Sequence, residues 1–263
     1  MPETRINYEA CPLCQSDAIK AIGRANCSKH PLFVEGLEET MTWMTCGACT
    51  HSFTQGYFNE QGWALISQKS NDNQVFSLKS IESQRVMSAA MVRKVCQFRN
   101  QFSGRWLDVG FGSGSLLLTA KEFGYDVKGI DLRENAVAAL KKVSIDAEVY
   151  DFTKLPVEEK YDAISFCDVL EHIPYPREFL EKARELVNKG GVLFVSCPNF
   201  SAPVFKIFSS SNANPYWGEI EHFHNFSKER LTALLAEYGF EVKDYDISRR
   251  YRMCMELISV KTA

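Results

Sequence analysis

The sequence lacks several features that mark whole classes of protein. No uninterrupted apolar run approaches the roughly 20 residues that span a bilayer. The first residues, MPETRINYEACPLC, contain no apolar signal-peptide core. A large net charge is also absent, because 30 basic residues stand against 33 acidic ones for a formal charge of −3. We therefore expect a soluble cytoplasmic protein without membrane insertion, and the missing basic field argues against nucleic acid as a partner.

Cysteine is the residue type with an uneven distribution. The 263-residue chain is 45% hydrophobic and 24% charged, which is typical of a globular protein with a buried core. It contains nine cysteines, and an odd number without an export signal argues against a disulfide framework. Five of them fall within the first 49 residues: Cys11, Cys14, Cys27, Cys46 and Cys49. This placement predicts a small metal-dependent module joined to an ordinary globular domain.

Two C-x2-C pairs, Cys11 with Cys14 and Cys46 with Cys49, have the spacing of zinc-binding knuckles. Each knuckle presents two thiolates, and two knuckles complete a closed structural Zn²⁺ site. The 31 residues between the pairs exceed the roughly 15–20 of common zinc ribbons, which indicates a long hairpin or an insert. Redox-active or incidental cysteines are the competing interpretation. Three further residues are alternative ligands: Cys27, His30 and His51.

From Gly104 onward, short apolar strands alternate with amphipathic helices. The predicted strands are 106–109, 125–131, 147–150, 161–167, 192–197, 240–247 and 252–261. The predicted helices are 115–123, 134–142, 177–187 and 228–238. This alternation predicts an α/β fold with a mostly parallel sheet that is covered on both faces. The last two strands have no helix between them, so we expect them to pair antiparallel.

The pattern divides the chain into three predicted parts. Residues 1–58 hold the paired cysteines and form a zinc-ribbon module. Residues 59–103 form a connector and helical cover, in which 59–80 is a polar connector or mobile cover and 81–100 a helix. Residues 104–263 form the α/β domain.

A glycine-rich loop follows the first strand of this domain. Gly110, Gly112 and Gly114 precede a helix, where residues without a Cβ let the backbone approach a ligand closely. The spacing is neither the dinucleotide motif G-x-G-x-x-G nor the phosphate loop G-x-x-x-x-G-K-[ST]. Asp131 ends the next strand, 21 residues after Gly110, where a carboxylate can accept hydrogen bonds from both ribose hydroxyls. With Asp108 directly before the loop, the pattern favours a cationic nucleoside without phosphate; a tight turn without a ligand is the alternative.

Together these motifs resemble the class I S-adenosylmethionine-dependent methyltransferases over about residues 104–263. The stretches that carry the resemblance are LDVGFGSG, GIDL, Asp151-Phe152, YDAISFCDVLEHIPYP and LVNKGGVLFVSCPN. The resemblance implies a Rossmann-like seven-stranded sheet of order 3-2-1-4-5-7-6 with strand seven antiparallel. It also implies S-adenosylmethionine as the cofactor and methyl transfer as the reaction.

The resemblance further implies a set of cofactor-binding residues at or after the ends of predicted strands. These are Asp108, Gly110, Phe111, Gly112, Gly114, Asp131, Leu132, Asp151, Phe152, Cys167 and Asp168. The three glycines would border the methionine part and Asp131 the ribose. Asp151 and Phe152 would border the adenine, while Cys167 and Asp168 would line the sulfonium pocket.

Methyl transfer to a hydroxyl or a carbon acid needs a group that removes the acceptor's proton, and histidine suits this task near neutral pH. Only five histidines are present. His172 follows the fourth strand of the α/β domain, and His222 and His224 precede its last helix. We predict that His222, His172, Glu221 and His224 form the catalytic set. The alternative is that His172 braces the pocket and His222 fixes its loop by hydrogen bonds.

The stretch EHFHNFS at residues 221–227 resembles E-H-F-x-x-F-S of the sugar C-methyltransferases, which also begin with a zinc module. In that family the histidine is the proposed base, with the neighbouring glutamate and an upstream tyrosine. The resemblance therefore implies His222 as the base, with Glu221 beside it. Glu219 occupies the tyrosine position here.

We predict methyl transfer to a hydroxyl or carbon of a small-molecule acceptor, a sugar or natural-product intermediate. The loop over residues 200–226 is rich in aromatic rings, which suit such an acceptor or a homodimer contact. No N-P-P-Y or D-P-P-Y follows the fourth strand, which argues against methylation of base amines. The alternatives are an RNA methyltransferase with a zinc finger and a non-catalytic cofactor-binding assembly protein. The basic cluster 249–252 is short, and we predict a solvated turn there.

Overall fold

The computed structural model describes residues 3–73, 78–211 and 213–262. The chain forms two compact units, each built from separate stretches. Unit 1 takes the described residues of Met1–Val75 with Leu170–Pro176 and Pro198–Leu231, and unit 2 takes those of Phe76–Val169 with Arg177–Cys197 and Thr232–Ala263. The predicted boundaries at residues 58 and 103 divide the chain in sequence order, whereas the two units are defined by contacts in space. The division into three parts stays a prediction.

Unit 1 is built on short antiparallel strands. β1 (Arg5–Asn7) pairs with β5 (Gly56–Phe58), and a four-stranded sheet has the order β11-β4-β3-β2. Its strands are β2 (Ile19–Asn26), β3 (Thr40–Cys46), β4 (Ser52–Thr54) and β11 (His224–Asn225). Side chains alternate between the two faces of a strand, so Met41 and Trp43 of β3 both enter the core of unit 1. The two-residue strand β11, which the sequence analysis assigned to an aromatic loop, completes this sheet.

The polar stretch 59–80, predicted as a connector or mobile cover, is largely helical in the described residues. Helix α1 (Glu60–Asn73) precedes helix α2 (Leu78–Arg99), which confirms the helix predicted over 81–100. Asn59 caps α1, because its Oδ1 accepts the Gly62 N–H at 2.9 Å, and Ile66 is buried in the core of unit 1. The cap and the packing of Ile66, Trp63 and Leu65 on the core of unit 1 therefore stabilise a helix with little amphipathic signal. Residues 74–77 of the predicted connector lie outside the described residues.

Unit 2 contains the predicted seven-stranded sheet. Its strands are β6 (Gly104–Val109), β7 (Tyr125–Asp131), β8 (Asp146–Val149), β9 (Tyr161–Cys167), β10 (Val187–Pro198), β12 (Phe240–Ile247) and β13 (Cys254–Lys261). They lie in the order β8-β7-β6-β9-β10-β13-β12, which is the expected 3-2-1-4-5-7-6. β6 pairs parallel with β7 and β9, and β12 pairs antiparallel with β13. The predicted sheet order and the antiparallel last pair are confirmed.

Helices alternate with these strands as the sequence predicts. They are α3 (Ser115–Glu122), α4 (Glu134–Lys142), α5 (Pro176–Leu186) and α7 (Lys228–Glu237). Helix α2 packs on α3, where the Ser88 hydroxyl donates to the Ser115 Oγ at 3.1 Å. β10 starts at Val187, earlier than predicted, because a register irregularity between Val187 and Val192 accommodates the two glycines. Helix α6 (Pro203–Ser210), with proline in its first turn, was not predicted.

None of the helices within the described ranges combines the length and the apolar character that crossing a bilayer requires.

Candidate functional site

The glycine loop after β6 adopts a backbone conformation that glycine favours. Gly110, Gly112 and Gly114 have positive φ angles of 65°, 59° and 75°. The Gly110 N–H donates to the carbonyl of Ile130 on β7 at 2.8 Å. A Cβ on Gly114 would lie 2.5 Å from the Leu140 side chain, whereas one on Gly112 would meet nothing within 4 Å. Packing therefore requires glycine at 114, and the open side of the loop is at 112.

The carboxylate of Asp131, at the end of β7, lies beside this loop and is only 5% exposed. The Gly112 N–H donates to its Oδ2 at 3.3 Å. Arg133 donates to both oxygens, from Nε to Oδ1 at 2.8 Å and from Nη2 to Oδ2 at 2.6 Å. The ribose contact of Asp131 stays a prediction. The sequence analysis missed Arg133, for which the only signal was a cation two residues after the carboxylate.

Asp108 lies on β6 and is 2% exposed. The Ser165 hydroxyl donates to its Oδ1 at 2.5 Å. Burial raises the pKa of Asp108 to about 7, although the Ser165 hydrogen bond and the charge of Arg250 act in the opposite direction. The carboxyl is therefore poised to change its charge near neutral pH, and a cation nearby would favour the ionised form.

β9 ends at Cys167, and the next residue, Asp168, has a φ of 57°. The Ser196 hydroxyl donates to Asp168 Oδ1 at 3.0 Å, and Arg250 Nη2 donates to Oδ2. The Arg250 side chain is only 23% exposed, so the prediction of a solvated turn at 249–252 is wrong for this residue. Burial raises the pKa of Cys167 well above its ordinary value, and the nearby Asp108 carboxyl acts in the same direction. Cys167 is therefore a neutral thiol.

Four other residues of the predicted cofactor set have distinct environments. Asp151 caps a short 3-10 turn, because its Oδ1 accepts the backbone N–H two residues later at 3.0 Å. The Phe152 ring is 2% exposed and packs edge-on against Phe166, with ring centroids 5.2 Å apart. Phe111 is 5% exposed and belongs to the core of unit 2, whereas Leu132 is 74% exposed. The Phe152 ring thus packs in the core, and the adenine contact of Asp151 and Phe152 stays a prediction.

In unit 1, the side chains of Glu171, His172 and His222 converge. One ligand atom from each lies within 4.8 Å of those of the other two. The two imidazoles meet edge to face, with centroids 4.7 Å apart and an interplanar angle of 86°. The Nδ1–H of His172 donates to the backbone carbonyl of Glu221 at 3.1 Å, since a carbonyl can only accept. Two predicted catalytic histidines are therefore together, but the carboxyl beside them belongs to Glu171, which was not in the predicted set.

The protonation of His222 follows from its environment. Burial lowers its pKa well below the ordinary value, and electrostatic interaction with His172 and His30 acts in the same direction. The ring is neutral at physiological pH, so one of its nitrogens carries a lone pair. A depressed pKa also makes it a weak Brønsted base.

His224, the third predicted catalytic histidine, uses both ring nitrogens in unit 1. Its Nε2–H donates to the carbonyl of Ile173 at 2.8 Å, so its Nδ1 accepts from the Nε2–H of His51 at 2.9 Å. Burial lowers the pKa of His224 to about 4, which keeps the ring neutral. His224 therefore holds β11 in place through hydrogen bonds at both ring nitrogens.

The four predicted zinc ligands form one cluster in unit 1. The sulfurs of Cys11 and Cys49 are 3.6 Å apart, and those of Cys14 and Cys46 are 3.5 Å apart. All four lie within 4.8 Å of one another. Sulfurs around a tetrahedral zinc, each at about 2.3 Å from the metal, are separated by about 3.8 Å. This four-cysteine cluster therefore has the size and donor set of a structural Zn²⁺ site.

The remaining sequence candidates in unit 1 have other contacts. Cys27 is buried in the core. His30 Nε2 donates to the carboxylate of Glu219. Glu219, which occupies the tyrosine position of the sugar C-methyltransferase stretch, is therefore paired with a histidine. The loop over 200–226 is folded inward, since Phe205 and Phe223 are buried. The aromatic wall expected from the sequence is thus in part the interior of unit 1.

Residues 83–245, more than half of the chain, match the family model described as a methyltransferase domain. A ubiquinone biosynthesis O-methyltransferase from Hydrogenovibrio crunogenus is 27% identical over 175 residues, which cover 60% of this chain and 73% of that protein. A protein of the same name from Bordetella avium is 34% identical over 103 residues, 36% of this chain and 43% of that relative. The chain thus matches less than half the length of the second relative.

A solved structure shows the same fold. The 1,6-didemethyltoxoflavin N1-methyltransferase of Burkholderia thailandensis, solved with its acceptor and S-adenosylhomocysteine, has a TM-score of 0.60 at 13% identity. The likeness covers 81% of this chain and 96% of that one.

The family match includes the glycine loop, Asp131 and the end of β9. S-adenosylmethionine is the cofactor of this fold. The resemblance to sugar C-methyltransferases is not shown by the comparisons and stays a prediction. The chain belongs to the S-adenosylmethionine-dependent methyltransferases.

Proposed function

We propose that the protein transfers the methyl group of S-adenosylmethionine to a hydroxyl oxygen of a small organic acceptor. The cluster of Glu171, His172 and His222 carries the proposal, because imidazole and carboxyl groups are those that take up a hydroxyl proton. Two relatives are named as O-methyltransferases of ubiquinone biosynthesis, which supports oxygen as the acceptor atom.

The residues of unit 2 fit the cofactor. The loop from Gly110 to Gly114 offers backbone without a Cβ, and Asp131 offers carboxylate oxygens at its edge. The Asp108 carboxyl, in its ionised form, favours a cationic ligand. When bound, S-adenosylmethionine supplies a methyl group that its sulfonium already activates. The protein's task is then to orient the acceptor and to remove its proton.

The histidine pair suits proton removal by its tautomers. His172 donates from Nδ1 to the carbonyl of Glu221, so the Nε2 of the neutral ring carries a lone pair. His222 is neutral and buried beside it. We assign acceptor orientation and proton uptake to this pair with Glu171. Glu221 contributes its backbone carbonyl, and His224 contributes the hydrogen bonds that hold β11.

Other acceptors have weaker support. In a sugar C-methyltransferase the residue at position 219 would act with the base, but Glu219 is paired with His30. An RNA acceptor would favour a basic surface, but the net charge is −3 and Arg250 is paired with Asp168. A cytoplasmic location and a homodimer through the 200–226 loop stay predictions from the sequence.

The test is methyl incorporation from S-adenosylmethionine labelled on the methyl group. The acceptor panel holds phenols and catechols, hydroxylated natural products, sugar nucleotides and RNA. We expect label on a hydroxyl of a small molecule, and none when that hydroxyl is blocked by methylation. Asp131→Ala, which removes the predicted ribose contact, is the matched control and should lose incorporation. Label confined to RNA or to carbon contradicts the proposal, and cofactor binding without turnover on any acceptor favours the assembly protein.

A further inference from the structure

The cluster of Glu171, His172 and His222 has a donor set that the proposed proton transfer does not fully explain. Two imidazoles and one carboxylate are the ligands that enzymes use for catalytic Zn²⁺ and for other divalent transition ions. One ligand atom of each residue lies within 4.8 Å of the others. Ligand atoms that share an ion at about 2.1 Å lie about 3 to 4 Å apart. Small side-chain rotations therefore suffice to close the three residues on an ion.

His172 is held in the tautomer that a metal ligand needs. Its Nδ1–H donates to the carbonyl of Glu221 at 3.1 Å, which leaves the Nε2 lone pair available. Histidines that bind metals usually donate their other ring N–H to a carbonyl or carboxylate in this way, because that bond fixes the ring orientation.

His222 provides the second, independent observation. The residue is only 6% exposed, and its Nδ1 has no hydrogen-bond partner among the described residues. A buried polar atom without a partner destabilises the folded state, so such atoms are rare in folded proteins. The rings of Tyr216 and His172 flank the imidazole, with centroids 6.0 Å and 4.7 Å from it. Coordination of an ion would satisfy this nitrogen.

We infer that Glu171, His172 and His222 bind a divalent first-row transition ion, in a site distinct from the four-cysteine zinc site. A divalent ion would also bring positive charge to the Glu171 carboxyl, which is completely buried. Three protein ligands leave coordination positions open for oxygen ligands, unlike the closed four-cysteine cluster. Use of such a position to bind the acceptor hydroxyl and lower its pKa rests on the proposed function, whereas binding of the ion does not.

The experiment uses the full chain with zinc in the four-cysteine cluster and adds Co²⁺ as the probe. We expect one Co²⁺ per chain, with the weak visible bands of nitrogen and oxygen ligands and no intense thiolate charge-transfer band. Glu171→Gln and His172→Gln should each weaken Co²⁺ binding at least about tenfold. His30→Gln, a histidine of the same unit outside the cluster, is the matched control and should change binding less than about twofold.

A measurement on the unsubstituted protein keeps the inference testable if a variant misfolds. Paramagnetic Co²⁺ should shift or broaden the imidazole NMR signals of His172 and His222 much more strongly than that of His30. The inference is overturned if Co²⁺ binds only through thiolates, or if folded Glu171→Gln and His172→Gln proteins bind it like the wild type.

The same experiment separates this inference from the proposed function. Co²⁺ binding with no methyl transfer to any acceptor refutes the proposed function and leaves the metal site intact. If the protein transfers methyl groups but binds no second metal ion, the metal site is refuted and the proposed function is not.

Discussion

Arg133 holds both carboxylate oxygens of Asp131, through side-chain hydrogen bonds of 2.8 Å and 2.6 Å. The backbone N–H groups of Gly112 and Arg133 also donate to this carboxylate, at 3.3 Å and 3.0 Å. A ribose that binds Asp131 must therefore share the carboxylate with the guanidinium. The two side chains can be tested separately.

Asp131→Ala is expected to weaken S-adenosylmethionine binding at least about tenfold, because a charged hydrogen-bond acceptor is lost. Arg133→Ala should change the affinity less than about threefold, because the two backbone N–H groups still orient Asp131. Isothermal calorimetry measures both. Equal losses in the two variants would show that Asp131 acts by holding Arg133, and the ribose assignment would then be wrong.

Asp108 should make stability depend on pH. Its pKa is raised to about 7 from an ordinary value of 3.8, so the folded state keeps a proton that the unfolded state has lost. The contribution of Asp108 is fully present below about pH 4 and is lost as pH rises through about 7. Asp108→Asn removes this titration, so its free energy of unfolding should rise relative to wild type by about 2 kcal/mol between about pH 5 and about pH 7.

Urea unfolding of both proteins across this pH range measures the difference for Asp108. Other titrating groups are common to the two proteins and cancel. A difference that does not change with pH would mean that Asp108 is ionised throughout, despite its burial.

The four-cysteine cluster should bind one zinc that unit 1 needs for stability. Cys46→Ser removes one of four thiolates, and we expect loss of bound zinc and a melting temperature lower by about 10 °C. Cys27→Ala is the matched control, because Cys27 is a buried cysteine of the same unit outside the cluster and should leave the zinc in place. Metal analysis and thermal melting check both. Full zinc content and unchanged melting in Cys46→Ser would contradict the four-thiolate site.

The two histidines predicted as catalytic on the 200–226 loop should separate in their effects. His222→Ala is expected to lower kcat at least about a hundredfold and to leave cofactor affinity within about twofold, because it removes a proton acceptor or metal ligand. His224→Ala should lower stability by about 1 to 3 kcal/mol, because it leaves the Ile173 carbonyl and the His51 N–H without this partner. Turnover and chemical unfolding measure these changes. Undiminished turnover in His222→Ala would exclude it from the reaction.

Much of unit 2 could be predicted because its signals are local. Apolar strands such as Tyr161–Cys167 alternate with amphipathic helices, and the glycine loop with Asp131 falls at the ends of adjacent strands. The order of the seven strands came from the family resemblance rather than from the pattern alone. The weakly amphipathic α1 was not predicted, because an Asn59 cap and a few apolar side chains that pack on the core of unit 1, Ile66 with Trp63 and Leu65, are faint signals.

The pairings in the candidate sites could not be predicted, because they join distant parts of the chain. Asp168 and Arg250 are 82 residues apart, and His51 and His224 are 173 apart. Nothing in the local sequence around Arg250 distinguishes a solvated arginine from one bound to a carboxylate. Glu171 and Glu221 are each adjacent in sequence to a histidine of the cluster, so only the fold decides that the Glu171 carboxyl lies beside the histidine pair.

The amino-acid pattern was enough to predict the alternating α/β fold with its glycine loop, the four cysteines that lie together and the histidines worth testing. These features depend on short-range periodicity and on spacings within single turns, which the chain expresses locally. Which carboxyl joins His172 and His222, which histidine is held at both nitrogens, and which arginine neutralises Asp168 depend on burial and on contacts between distant segments. Such contacts exist only after the hydrophobic cores have formed, so they follow from packing rather than from sequence pattern.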